Sequence, residues 1–258
     1  MGKVGRLAVI AVYSVKGGVG KTTIAADLAW RSAALSGYNT LLWDLDAQAG
    51  AGYLLGVQEQ PRLRAASIFQ RDGKPAQLIV PTDYPFLYLL QADDSLRGLP
   101  LQLARLGQRR RLATMTSFLR ANFDRIVLDC PAGFNEVSEQ VLAAADVLIV
   151  PLPASPLSAR AIEIMRRELL SGNRRHPPIL PVLSMYDSRR KLHREVAATV
   201  ARDWPIVPQS SLIEQSAVRR APAGSFARGS DADRALARLW MAIEAKLAGL
   251  TSVHKSVA

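Results

Sequence analysis

The residues best suited to chemistry are Lys16–Thr23, KGGVGKTT. Gly17, Gly18 and Gly20 allow successive backbone N–H groups to turn inward around phosphate oxygens. Val19 lies inside that loop, and a helix beginning directly after it would aim its partly positive N-terminus at the same anion. Lys21 is placed to reach the β- and γ-phosphates, the Thr22 hydroxyl to ligate Mg²⁺, and Thr23 closes the motif. The general pattern GxxxxGK[ST] has glycine where Val15 stands, so this is a variant form of it.

Two further segments bring carboxylates to such a loop. Asp44-Leu45-Asp46-Ala47-Gln48 follows an apolar run. Acids at the C-terminal end of a parallel strand are suited to Mg²⁺ and water, and alternation predicts that Asp44 and Asp46 point to the same side. Ile126–Gly133, IVLDCPAG, is an apolar strand ending in Asp129, the form in which a rigid strand holds a carboxylate for Mg²⁺. Gly133 frees the backbone to approach a phosphate. Cys130 reads as packing, because nothing beside it in sequence would activate a thiol. None of the four asparagines is followed by lysine, so the Asn-Lys-x-Asp element of many GTPases is missing and ATP is favoured over GTP.

The elements that must position these groups are legible as apolar runs. Leu7–Ser14, Thr40–Leu45, Phe86–Leu90, Arg125–Leu128, Val147–Leu152 and Ile179–Met185 read as strands. Helical spacing runs through Thr23–Leu35, Leu101–Ala121, Glu136–Ala145, Leu157–Leu170, Arg190–Arg202 and Asp231–Ala248. Strands alternating with helices predict a parallel sheet covered on both faces. Residues 57–84 read as an irregular insertion and 251–258 as a loose tail.

Composition limits the alternatives. With 258 residues, 49% apolar and 21% charged, the chain can bury a sizeable core. No run of 18 apolar residues suggests a membrane span. A single cysteine excludes a disulfide framework or a Cys-ligated cluster within one chain. A reducing cytoplasm fits, and Leu7–Tyr13 is followed by a Gly/Lys loop rather than a cleavage site. Charge is uneven: residues 1–150 hold 16 basic and 13 acidic side chains, residues 151–258 hold 17 and 9, within a net charge of +11. A basic C-terminal half points to an anionic partner.

With its second lysine, Lys16, the loop resembles that of the deviant Walker A ATPases, the group of ParA and MinD, and the likeness runs from Leu7 to about Ala248. It implies a single-domain P-loop NTPase fold of α/β class, one ATPase domain over 1–258 with a core of about 7–248. It also implies that Lys16 reaches across a homodimer to the partner's nucleotide. The segment from Asp44 to Gln48 resembles the ParA motif DxDxQ, in which Asp46 would position the attacking water and Asp44 support the Mg²⁺ shell. The usual Pro is Ala47 here, and the usual Gly-Asn is Ala49-Gly50. Asp129-Cys130-Pro131-Ala132-Gly133 resembles the second switch. Ser184-Met185-Tyr186-Asp187 resembles a segment near the adenine, which makes Met185 and Asp187 base-contact candidates.

Asp187–Leu192 resembles a basic DxRxxL run, and Val207–Ser210 with Glu214–Pro222 resembles IPRNxxxxEA, with Gln209 in place of its arginine. Arg189, Arg190, Lys191, Arg219 and Arg220 are therefore candidates for contacting the phosphates of double-stranded DNA without reading sequence. Arg109–Arg111 reads as a solvated helix face. The resemblance implies a short ParA-type ATPase in the cytoplasm at the nucleoid, using ATP and Mg²⁺. A cargo-associated protein would stimulate it to position a plasmid, a chromosome or a protein assembly. The alternative is a MinD-like membrane-associated regulator, but Thr251–Ala258 is short and weakly apolar for an anchor. ATPases of cofactor or metal-cluster assembly generally need a cysteine pair. A non-hydrolysing scaffold sits poorly with intact Lys21, Thr22, Asp46 and Asp129.

Overall fold

The computed structural model describes residues 7–58, 63–70, 73–107, 110–171 and 176–255. Of the residues singled out above, Arg109, residues 59–62 and 71–72 of the 57–84 segment, and residues 256–258 lie outside them. Eight strands form one sheet: β1 (Ala8–Val12), β2 (Thr40–Asp44), β3 (Ile79–Pro81), β4 (Leu87–Leu90), β5 (Arg125–Asp129), β6 (Val147–Pro153), β7 (Ile179–Tyr186) and β8 (Ile206–Pro208). Their order is β3-β4-β2-β5-β1-β6-β7-β8. All neighbours are parallel except β3, which pairs antiparallel with β4 at the edge.

All residues of β1, β2 and β5 are buried, because helices cover both faces of the central strands. The predicted mainly parallel α/β sheet is what forms, and its switch in strand order falls at β1 and β5, where the loops after the strands diverge.

One face carries α1 (Lys21–Ala34), α2 (Gly50–Leu54), α9 (Ala223–Phe226) and α10 (Asp231–Lys255). Its core joins Ile10, Val12, Leu28, Leu42, Val127 and Ile149 to Leu236, Leu239, Trp240, Ile243 and Leu247 of α10. The other face carries α3 (Leu99–Leu106), α4 (Arg111–Leu119), α5 (Glu136–Ala144) and α6 (Pro156–Ser171). Beyond the β7–β8 edge, α7 (Lys191–Ala198) packs Val196 on Leu183, and α8 (Ser211–Arg219) follows β8.

Three boundaries differ from expectation. The helix predicted over Leu101–Ala121 is two helices, since Gly107 takes φ 60 and ends α3 in the left-handed turn that favours glycine. The segment 57–84 is not merely irregular. It contains 3-10 turns and β3, and Ala65, Ile68, Phe69 and Leu78 enter the core, with Phe69 6.1 Å from Trp43 between ring centres. The loose tail is replaced by helix up to Lys255, because α10 continues through Gly249.

Candidate functional site

The loop between β1 and α1 is held open. Gly18 and Gly20 have φ of 70 and 83, which side-chain-bearing residues rarely adopt, and a Cβ on Gly17, Gly18 or Gly20 would meet nothing within 4 Å. The glycines therefore leave a concavity lined by backbone. Gly20 caps α1 without a side chain, and no acid occupies the first turn, so the N–H groups of that turn face the loop. Lys21 is buried, and its Nζ donates to the Lys16 carbonyl at 3.4 Å. The Lys16 backbone is fixed by the Ser14 hydroxyl at 3.3 Å. Its ammonium has no hydrogen-bond or ion-pair partner among the described residues, and the residue is partly exposed at the rim.

Parallel pairing of β2 and β5 sets Asp44 directly opposite Asp129. Both are buried, and they behave differently. Asp44 accepts the Asp46 N–H at 2.9 Å and the Ala51 N–H at 3.0 Å, so it organises the turn into α2. Burial raises its pKa to about 7, against those two hydrogen bonds. Neither oxygen of Asp129 has a hydrogen-bond partner among the described residues. Burial, and next the charge of Asp44, push its pKa well up; the Thr22 hydroxyl and the Lys21 ammonium act the other way, without closing a bond of normal geometry.

A buried orphan carboxylate beside a lysine and a threonine hydroxyl is a site short of a cation. The donor set of Thr22 and Asp129, with Asp44 behind, fits Mg²⁺, which is commonly held by one or two carboxylates completed by phosphate oxygens and water. Among the described residues no group of three or more His, Cys, Asp and Glu forms a protein cage.

Asp46 lies past the end of β2, so strand alternation does not govern it. Its carboxylate accepts the Gln48 N–H at 3.0 Å. Ala49 then takes φ 53, a left-handed conformation costly for a residue with a Cβ, at the position where the DxDxQ pattern is followed by glycine. Gly50 comes so close to Thr22 that a Cβ would lie 3.1 Å from its methyl group. The turn after Asp46 therefore rests on the residue that would ligate the metal.

A cavity of about 350 Å³ opens from the loop, lined by Gly18, Val19, Gly20 and Thr23 on one side. Its remaining wall comes from Ser184 and Met185 of β7, from Val207–Ser210 and from Ile213, Glu214 and Ala217 of α8. The β7–β8 register shifts between Leu183 and Tyr186, and Met185 has φ 54 there, which turns this strand end into the cavity wall. The Ser184 hydroxyl is buried with no hydrogen-bond partner among the described residues.

Of the two base-contact candidates, Met185 lines the cavity and Asp187 does not. The Asp187 carboxylate accepts from the Arg189 backbone and guanidinium, which hold its pKa down at about 2. Ser184, in the segment whose likeness points to the adenine, lines the cavity as well, and so does Gln209, which in sequence reads only as part of a basic surface.

The basic candidates form two exposed groups. Arg189, Arg190 and Lys191 surround the N-terminus of α7, with Arg189 paired to Asp187 and Lys191 3.8 Å from Glu195. Arg219 and Arg220 lie at the far end of α8, stacked over Phe226 at 4.8 Å and Tyr53 at 4.7 Å. Cys130 is buried, and burial raises its thiol pKa strongly, so it stays an unreactive packing residue.

Residues 7–171 match the AAA_31 family, described as an AAA domain. The chain is 30% identical over 230 residues to the chromosome partitioning protein ParA of Caulobacter vibrioides, covering 86% of this chain and 85% of that one. The fold superposes on an ATP-bound McdA variant from Cyanothece with a TM-score of 0.77 at 20% identity, covering 92% and 96% of the two chains. It superposes on the septum site-determining protein MinD of Pyrococcus horikoshii, complexed with Mg-ADP, with a TM-score of 0.74 at 22% identity over 95% and 98%. The open glycine loop with its two lysines and the facing aspartates are thus found within a chain that belongs to the ParA/MinD family of ATPases.

Proposed function

We propose that this chain is an ATP-dependent, dimerising ATPase that binds double-stranded DNA without sequence preference in its ATP state and positions or segregates a cargo. A protein on the cargo would stimulate hydrolysis, and the chain would work in the cytoplasm at the nucleoid as one ATPase domain. The observation that carries the reading is the unpartnered, partly exposed ammonium of Lys16 beside an open loop whose own lysine, Lys21, already points inward. One cation serves the nucleotide of the same chain; the second is free to reach the nucleotide of a facing copy.

In this reading the loop N–H groups, Lys21 and the cavity around Met185 hold ATP. Thr22 and Asp129, supported by Asp44, hold Mg²⁺, which would neutralise charge on the phosphates. Asp46 orients the attacking water, and catalysis consists of positioning and charge stabilisation. Arg189, Arg190, Lys191, Arg219 and Arg220 contribute salt-dependent contacts to DNA phosphates. ATP strengthens DNA binding only if it favours the state that aligns these residues from two chains.

The apolar stripe of α10, from Leu236 to Leu247, packs into the core, which supports DNA over a membrane as the anionic partner. No helix among the described residues is long and apolar enough to cross one.

The test is binding to a random-sequence duplex at two salt concentrations, without nucleotide, with ADP, and with ATP plus Mg²⁺. Tight, salt-sensitive binding only with ATP, retained in Asp46→Ala and lost in Lys16→Ala, is the expected result. Binding that ignores nucleotide removes the switched DNA surface and turns the question to anionic liposomes.

A further inference from the structure

Beyond Asp129 the chain leaves the sheet and must cross to α5. The last strand-like bond on this path runs from the Cys130 N–H to the Val12 carbonyl, 3.2 Å. The next fixed point is Asn135, whose side chain accepts from Val137 and Ser138 while the Ser138 hydroxyl accepts the Asn135 N–H, a reciprocal cap. Between them, Pro131–Phe134 is partly to fully exposed, and Gly133 turns at φ 96. Among the described residues, a single hydrogen bond holds these four residues: the Tyr13 hydroxyl donates to the Gly133 carbonyl at 2.8 Å.

Tyr13 is well placed for this. It is the first residue past β1, it follows Val9 and Ala11 onto the same face of the sheet, and it is 1% exposed. Its ring meets Phe134 edge-on, with centres 6.0 Å apart and planes at 62°. One end of the side chain is therefore fixed to the start of the phosphate loop, and the other ends on the segment that follows the orphan aspartate.

We propose that Tyr13 is a positioning residue for the nucleotide reaction, its hydroxyl tethering the Asp129–Gly133 segment to the phosphate loop through the Gly133 carbonyl. Because the peptide unit is planar, holding that carbonyl also fixes the direction of the Phe134 N–H. The tether keeps one arrangement of the segment, at a place where glycine would otherwise allow several. Burial pushes the Tyr13 pKa up to about 12, so the hydroxyl remains a donor at working pH. The inference rests on the ATPase reading above for its catalytic consequence, and on the geometry alone for its conformational one.

Tyr13→Phe tests both, since it keeps the ring against Phe134 and removes only the hydroxyl, with its bond to the Gly133 carbonyl and its interaction with Ser138. In the full-length protein we expect kcat for ATP to fall about tenfold, the factor that ~1.4 kcal/mol gives. KM for ATP and the Kd for ADP should change less than about twofold. Amide hydrogen exchange at Ala132–Phe134 should become faster, while that of α5 stays as in the parent. An unchanged kcat in an active parent, or kcat and nucleotide affinity falling together with Tm, would overturn the positioning role. If the parent hydrolyses no ATP, the ATPase reading fails by itself. The exchange rates then still decide the tether: equal rates in parent and variant would refute it.

Discussion

Asp129→Asn separates a site built for a ligand from one built for stability. The carboxylate is buried, has no hydrogen-bond partner among the described residues and stands opposite the buried Asp44. Burial and that neighbouring charge make its ionised form costly, with Asp46 adding to the repulsion and Lys21 and Thr22 opposing it. Asp44, across from it, is itself pushed up to about 7 by burial. A carboxyl whose folded pKa is raised holds its proton more tightly when folded. The stability it contributes is complete below about pH 4 and is lost as the pH rises through the folded value.

An amide cannot ionise, so Asp129→Asn escapes that loss. The burial of its own N–H₂ offsets part of the gain, leaving ~1–2 kcal/mol at pH 8. For a chain of this size that is roughly 2–8 °C in the melting temperature of the nucleotide-free protein. At pH 5, where less of that stability is lost, the variant's advantage should shrink or reverse. Adding ATP with Mg²⁺ should raise the parent by the usual linkage, about 2.7 kcal/mol at a hundredfold excess over Kd, and raise the variant far less. Thermal unfolding at pH 5 and pH 8, with and without nucleotide and metal, measures all four terms. A variant less stable than the parent at pH 8, or a difference identical at both pH values, would refute the claim that Asp129 is an uncompensated charge.

Two other substitutions probe neighbouring parts of the fold. Ala217→Trp places an indole in the cavity of about 350 Å³ from the exposed face of α8, so ATP affinity should fall at least about tenfold while the melting temperature changes little; unaltered affinity by titration calorimetry would place the base elsewhere. Gly224→Ala would bring a Cβ to 2.4 Å from the Trp30 ring and 2.8 Å from Arg31 Nη2, both buried, and near the Gly224 N–H that donates to Asp27 at 2.7 Å. Overpacking there should cost about 2 kcal/mol, roughly 4–8 °C, and a melting temperature within about 1 °C of the parent would show that α9 yields freely.

What could be read in the sequence was what is local. Strands β1, β2, β5 and β6 are covered on both faces, so each is a continuous apolar run, and the glycine loop follows the first of them at fixed spacing. The three-residue strands β3 and β8 carry too little pattern to register, and their place depends on partners already in the sheet. Helix α8 begins with a Ser210 cap on the Leu212 N–H, but only the folded chain brings its Ile213 and Ala217 over the phosphate loop. The pairing of Tyr13 with Gly133 spans 120 residues and exists because β1 and β5 are neighbours. Asp44 shows a subtler limit. Sequence identified it as an acid at a strand end, yet both of its oxygens are engaged by backbone N–H groups of the following turn. The sequence cannot distinguish a carboxylate that holds its own loop from one, like Asp129, that is left for a ligand.

Under the proposed function, that distinction gives phosphate and metal a reason to bind this site together. The loop glycines leave the start of α1 open toward an anion, with Lys21 held there by the Lys16 carbonyl at 3.4 Å, and Asp129 has no hydrogen-bond partner among the described residues, within one corner of the sheet. A phosphate arriving alone would answer the first need and bring its charge close to the charges of Asp129, Asp44 and Asp46. A divalent cation arriving alone would answer the second and face Lys21. In a low-dielectric site each mismatch is costly, and each ligand removes the cost of the other. On that reading the chain carries its selectivity for a metal–polyphosphate pair in Lys21 and Asp129, and removing either one would remove the coupling between the two ligands.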